Sequence, residues 1–172
     1  MKKSSLNVKD KLILDHLIHK YFNDNEKCNE NDIITMRKII MEKHKLSLRF
    51  IHWYVTIYSK KNDKKIYQSY YAHQCAYGKK YFDPFRRGLL INVTVRNNVN
   101  VETTVGQLTF FKWLFEFNII YHITGEYDNI HEQFRTYNDE KNNVKKIKRN
   151  YVKDEHNDSI SEYYWNNNII EY

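Results

Sequence analysis

The stretch LSLRFIHWYVTIYSKKN (46–62) decides the fold class. Its β-branched and aromatic residues favour a strand. Its apolar spacing, Phe50, Trp53, Tyr54 and Ile57 at i, i+3, i+4 and i+7, favours a helix. Length and period outweigh propensity, so the stretch reads as a helix. That makes the chain mostly helical, because helical patterns flank it on both sides. Upstream, Ser4 or Ser5 caps a helix carrying Leu6, Leu12, Ile13, Leu17 and Tyr21. Asn31 or Asp32 caps a second, with Ile33, Met36 and Ile40 on its apolar face. Downstream, SKKNDKK (59–65) reads as a charged loop and IYQSYYAHQCAYG (66–78) as a helix that Gly78 terminates.

The chain's one proline lies in KKYFDPFRR (79–87). Pro84 fixes its own φ and pushes Asp83 towards an extended backbone, and the Asp83 carboxylate can bond the backbone just ahead. Phe82, Asp83, Pro84 and Phe85 are thus expected to form a structural corner, with both phenylalanines turned inward. After the corner the apolar period changes from helical to two. Leu89, Ile91, Val93 and Val95 form one strand, RNNVN (96–100) the turn, and Val99, Val101 and Thr103 a return strand. Thr104 and Gln107 then read as a capping box. They open a helix that is apolar on most sides through Leu108, Phe111, Trp113, Leu114, Phe115 and Phe117, and Asn118 ends it. A shorter helix is expected around Ile130, Phe134 and Tyr137.

From Asn138 the composition turns polar and mixed in charge, with few apolar anchors. The expected fold class is therefore α+β. It is a mostly helical single domain over residues 1–137 with one β-hairpin near 89–103. A flexible, basic tail over residues 138–172 follows, ending in the aromatic segment ISEYYWNNNIIEY (160–172).

The 172 residues suit one domain with a real core, and 15 Tyr, 9 Phe and 3 Trp supply much of its volume. Only 4 Gly and 1 Pro argue against a sandwich or barrel of many tight turns. A net charge of +7 attracts polyanions such as nucleic acid or an acidic protein face. Cys28 and Cys75 fall in neither a disulfide framework nor a zinc spacing, which points to a reducing compartment. The N-terminal LILDHLI (12–18) is broken by Asp15 and His16 and does not resemble a signal peptide. No apolar run approaches the ~20 residues that span a bilayer, so no membrane insertion is expected.

Three stretches, KHKLSLRFIHWYVTIYSKKN (43–62), YGKKYFDPFRR (77–87) and ETTVGQLTFFKWLFEFNII (102–120), together resemble a small protein family shared among nucleocytoplasmic large DNA viruses. Its members carry a segment of the form KK-FDPFCRR followed by one of the form TTVGQLNFFRWAI. The resemblance implies a setting without an assigned activity: a protein made in an infected cell, working in the viral factory of the host cytoplasm or packaged in the virion. The chain departs from the family pattern at two places. Arg86 follows Phe85 directly where relatives have a cysteine, and His52 stands where relatives often have an acid. If either group were catalytic in relatives, this chain would lack it.

The candidate chemistry narrows accordingly. Zinc needs three or four convergent ligands, and the pairs His16 with His19 and His73 with Cys75 have no matching second pair, as Cys28, His44 and His52 are scattered. No metal or other cofactor is expected. Cys75 and His73, two apart on a helix, point away from each other and form no dyad. No serine elbow or phosphate-cradling glycine loop occurs, so no catalytic residue is assigned and the chain is read as a non-enzyme. Three basic sets remain as candidate phosphate contacts: Lys79, Lys80, Arg86 and Arg87 at the corner; Lys60, Lys61, Lys64 and Lys65; and Lys145, Lys146, Lys148 and Arg149 in the tail. Tyr77 or Tyr81 could stack on bases. The leading expectation is non-specific nucleic-acid binding. The alternatives are a minor capsid or internal scaffold component that binds virion proteins, and an enzyme of unknown reaction.

Overall fold

The computed structural model describes the backbone of residues 5–153 and the side chains of residues 5–146. The fold is α+β and mostly helical, with a two-stranded antiparallel hairpin as the sheet among the described residues. The chain divides into two compact units, one ending at Asp128 and the other beginning at Asn129.

Helix α1 spans Val8–Leu17 and continues through a π-helical turn, Ile18–Phe22. Its cap is Asn7, not Ser4 or Ser5: Asn7 Oδ1 accepts from the Asp10 N–H at 2.8 Å, and Asp10 Oδ2 accepts from the Asn7 N–H at 3.2 Å. Helix α2, Glu30–Ile40, repeats the device with Asn29 and Asp32. The expected caps Asn31 and Asp32 thus lie inside that helix. In both places several residues able to cap stand close together, and the acid three residues on selects the asparagine.

The deciding stretch is helical. Ser47 caps α3, Leu48–Trp53. A π-helical turn, Tyr54–Tyr58, leads into α4, Ser59–Asn62. Phe50, Trp53 and Tyr54 are buried, whereas Ile57 is exposed, because the wider π turn rotates it off the apolar stripe. The expected charged loop is a break of a single residue. Asp63 leaves helical geometry, and its Oδ1 accepts from the N–H groups of Lys65 and Ile66 at 3.1 and 3.2 Å. It thereby caps α5, Lys64–Tyr81. Gly78 interrupts α5 near its end at φ +64°, a left-handed conformation that glycine adopts without strain.

Strands β1, Ile91–Val95, and β2, Val99–Thr103, pair Ile91 with Thr103 and Val95 with Val99. Asn97 and Asn98 both have positive φ, as a tight hairpin turn requires. Val93, Val95, Val101 and Thr103 face inward, and Asn92, Thr94, Asn100 and Glu102 face water. Helix α6, Val105–Glu116, follows directly and is the buried centre of this unit. Phe110, Phe111, Trp113 and Leu114 are all inaccessible, and α1 and α5 lie against this helix. Asn118, at φ +53°, separates α6 from α7, Ile119–Gly125.

Helix α8 runs from Tyr127 to Lys153, well past Asn138, where composition alone suggested that regular structure ends. Local i, i+4 contacts support it within the second unit. Thr136 Oγ1 donates to Glu132 O at 3.1 Å, and Lys141 Nζ sits 5.6 Å from the Tyr137 ring centroid. The aromatic segment 160–172 lies outside the described residues.

Candidate functional site at the Pro84 corner and the lysine face

The corner is built by stacking KKYFDPFRR against the start of α6. Phe82 is fully buried, with its ring 5.4–5.6 Å from those of Tyr70, His73, Phe110 and Trp113. The Asp83 N–H donates to Gly106 O at 3.2 Å. Gly106 has no side chain for a steric reason: a Cβ there would stand 2.9 Å from Lys80 O. The Pro84 carbonyl accepts from Gln107 Nε2 at 2.8 Å, and Gln107 Oε1 accepts from Thr103 Oγ1 at 2.8 Å. Gln107 and Thr103 are wholly buried.

The expected capping box is therefore half made. Thr104 Oγ1 does accept from the Gln107 N–H at 3.1 Å. The Gln107 side chain turns away from the helix start and ties strand β2 to the corner instead. Phe85 departs from expectation as well: it is only half-buried, with its ring 5.3 Å from both the His52 ring and the Arg87 guanidinium.

Three of the four corner bases have carboxylate partners. Arg87 grips the buried Asp83 bidentately, Nη2 to Oδ1 at 2.7 Å and Nε to Oδ2 at 2.8 Å. Asp83 Oδ1 also accepts from the Phe85 N–H at 3.1 Å, closing the turn. Arg86 pairs with Glu102 on β2 at 2.9 Å. Lys80 Nζ reaches Asp10 Oδ1 at 3.0 Å. Burial opposes ionisation of Asp10, but the bonds from Lys80, Tyr81 and the Asn7 backbone outweigh it and hold its carboxyl below the ordinary value. Lys79 is exposed and makes no ion pair among the described residues.

A double-mutant cycle reads the corner directly. Asp83 with Arg87 should show a coupling of about 1 kcal/mol, since the carboxylate is buried but the guanidinium is largely exposed and screened. Asp83 with Arg86 should show none. Urea melts of the four proteins in each cycle measure both.

His52 and Tyr70 border this pair. Burial pushes the Tyr70 hydroxyl up to about 12, helped by Asp83 and opposed by Arg87. Burial also lowers the His52 pKa, against the pull of Asp83 and with the push of Arg87. His52 is therefore neutral at pH 7. Its unfolded form takes up a proton near 6.5, whereas the folded form does so at lower pH. Between those values the unfolded chain binds more protons, so stability falls as pH drops through about 6.5. His44, lowered by burial and by Lys45 and Lys38, adds in the same direction. Melting temperature should fall between pH 7.5 and 5.5 by this route, and His52→Gln should fall less. Equal slopes for the two proteins would contradict the assignment.

The second basic set forms a surface. Lys60 and Lys61 on α4 and Lys64 and Lys65 on α5 are all exposed, and none makes an ion pair among the described residues. Lys60 Nζ lies 5.9 Å from the Tyr67 ring centroid. Asp63, the acid among them, has its Oδ1 engaged in capping α5. From Ser59 to Phe82 no other acid occurs. In the third set, Lys145 and Lys146 are exposed on α8, while the side chains of Lys148 and Arg149 lie outside the described residues.

Other candidate chemistry stays dispersed. Among the described residues no three His, Cys, Asp or Glu side chains gather as a metal site. Burial pushes the Cys28 thiol up to about 12, with Asp32 adding and Arg96 opposing, so Cys28 is not a thiolate at neutral pH. Cys75 is exposed. No helix among the described residues is long and apolar enough to cross a membrane.

Residues 2–170 match a family of unknown function, DUF7197. The chain belongs to that family. It is also similar to an uncharacterized protein of Acanthamoeba polyphaga mimivirus, 32% identical over 109 residues. That match takes in 53% of this chain and 42% of the mimivirus protein. A giant-virus relative agrees with the large-DNA-virus family that the sequence stretches resemble. No solved structure matches the chain.

Proposed function

We propose that the chain is a giant-virus protein of the viral factory or virion that binds nucleic acid by phosphate contact, without sequence preference and without catalysing a reaction. The observation that carries this reading is the lysine face of α4 and α5. Lys60, Lys61, Lys64 and Lys65 crowd around a cap whose carboxylate oxygen is already engaged by the backbone. Four lysines around the one carboxylate of Asp63 leave a net positive charge that attracts a polyanion. Lys79, at the far end of α5 beyond the Gly78 interruption, is a separate exposed base. Lys80, Arg86 and Arg87 serve the fold first, because each already has a carboxylate.

A pull-down of the tagged protein from infected cells, with and without nuclease, tests this. The reading expects nucleic acid in the untreated eluate and loss of co-eluting proteins after nuclease. A second reading, docking to a virion protein, draws on a groove of about 330 Å³ between α1, α5 and α6. Leu12 and Tyr77 stand exposed at its rim, and Trp113 forms part of its lining. Partners that survive nuclease would favour that reading.

A further inference from the structure

One of these lysines, Lys64, shares its stripe of α5 with an exposed ring that the fold does not use. Tyr71 is 62% exposed and makes no hydrogen bond or ring contact among the described residues. It lies seven residues after Lys64, three after Gln68 and four before Cys75, so the four side chains share one stripe of α5. All four are exposed. Tyr67, one turn before Tyr71, is half-buried and has Lys60 over its ring. The stripe from Lys64 to Cys75 is ~16 Å long at helical rise, enough for a few nucleotides.

Lysines alone suit any phosphate backbone, duplex or single-stranded. A flat ring among them adds affinity only where a base face is free to stack on it, and only an unpaired strand presents one. In a duplex the base faces are covered by neighbouring pairs. We infer that the α4–α5 face takes single-stranded nucleic acid, with Tyr71 as its stacking platform and Lys60, Lys61, Lys64 and Lys65 on the phosphates. This rests on the nucleic-acid reading above and narrows it. The rings first favoured for stacking face elsewhere. Tyr81 is buried, with Lys9 and Lys80 over its ring, and Tyr77 stacks on His73 beside the groove.

Fluorescence anisotropy with a labelled oligothymidylate, the matching oligouridylate and a duplex of equal length tests the inference at low salt. The wild-type protein should bind a single strand more tightly than the duplex, and the two single strands show whether DNA or RNA is preferred. Tyr71→Ala should weaken single-strand binding about five-fold or more and leave duplex binding unchanged, while Tyr71→Phe keeps the wild-type affinity. Matching thermal melts of the two variants would show that the fold is intact. Duplex binding as tight as single-strand binding, with Tyr71→Ala silent on both, would overturn the inference and leave the phosphate reading standing. Failure of the wild-type protein to bind any of the three probes would remove both.

Discussion

Trp113→Ala should lower the free energy of unfolding by about 3–5 kcal/mol, the most damaging single truncation expected in this protein. Trp113 sits 1% exposed in the middle of α6. Its ring lies 5.6–6.0 Å from those of Tyr70, His73, Phe82, Phe110 and Phe117, which come from α5, the corner, α6 and the α6 C-cap. Neighbours held by this many contacts cannot collapse into the space that an indole leaves. The indole N–H also donates to Ser69 Oγ at 3.0 Å. Trp113→Phe should therefore cost less than Trp113→Ala, retaining most of the packing while leaving Ser69 without that donor. Urea unfolding of the two variants gives the order. A wild-type midpoint for Trp113→Ala would mean that α6 is not the centre of the core.

Substitutions of Gln107 should be the next most severe, beginning with Gln107→Leu. The substitution keeps the volume but strands the Pro84 carbonyl, at about 1–3 kcal/mol for a buried group left without its partner, and leaves the Thr103 hydroxyl only the longer 3.5 Å contact to Thr104 O. Gln107→Glu should be worse at neutral pH, because it removes the donor to Pro84 O and places a charge where no counter-charge stands. Its stability should recover in part as pH falls and the carboxyl takes up a proton. A mild effect of both variants, equal at all pH values, would show that the corner does not depend on α6 through this side chain.

The same residue shows where sequence reading ends. Thr104 and Gln107 have the spacing of a cap, and the cap forms, but the glutamine side chain answers to Pro84, 23 residues away. Nothing in local spacing reports such a partner. The pairs of Arg86 with Glu102 and Lys80 with Asp10 are likewise products of the fold. What was legible was periodic: the 3.6-residue stripe of 46–62, the alternation of 91–103, and the apolar helix after Thr104. The π turn at Tyr54–Tyr58 was not, because one widened turn shifts the stripe without changing its composition. Helix α8 passed unnoticed beyond Asn138 for a related reason. Few apolar residues follow Tyr137, so low hydropathy hid an amphipathic period that continues along the helix.

The lysine set was visible as composition, but its form was not. SKKNDKK reads as a loop, yet it is two helix segments joined at Asp63, so its four exposed lysines stand on helix, with Lys64 on the stripe of Tyr71. The corner, where the proline drew attention, holds its arginines against Asp83 and Glu102 and presents them less freely. On the proposed reading, the α4–α5 face rather than Arg86 and Arg87 meets phosphate.

The salt dependence of single-strand binding tests that claim most directly. The wild-type protein, the quadruple variant Lys60→Ala, Lys61→Ala, Lys64→Ala, Lys65→Ala, and the double variant Arg86→Ala, Arg87→Ala are titrated with oligothymidylate at several salt concentrations. The quadruple variant should lose affinity, with a log–log salt slope smaller by up to ~3, while the double variant should keep the wild-type slope and lose some stability. An unchanged slope for the lysine variant, with a reduced slope for the arginine variant, would contradict that claim and return the binding site to the corner.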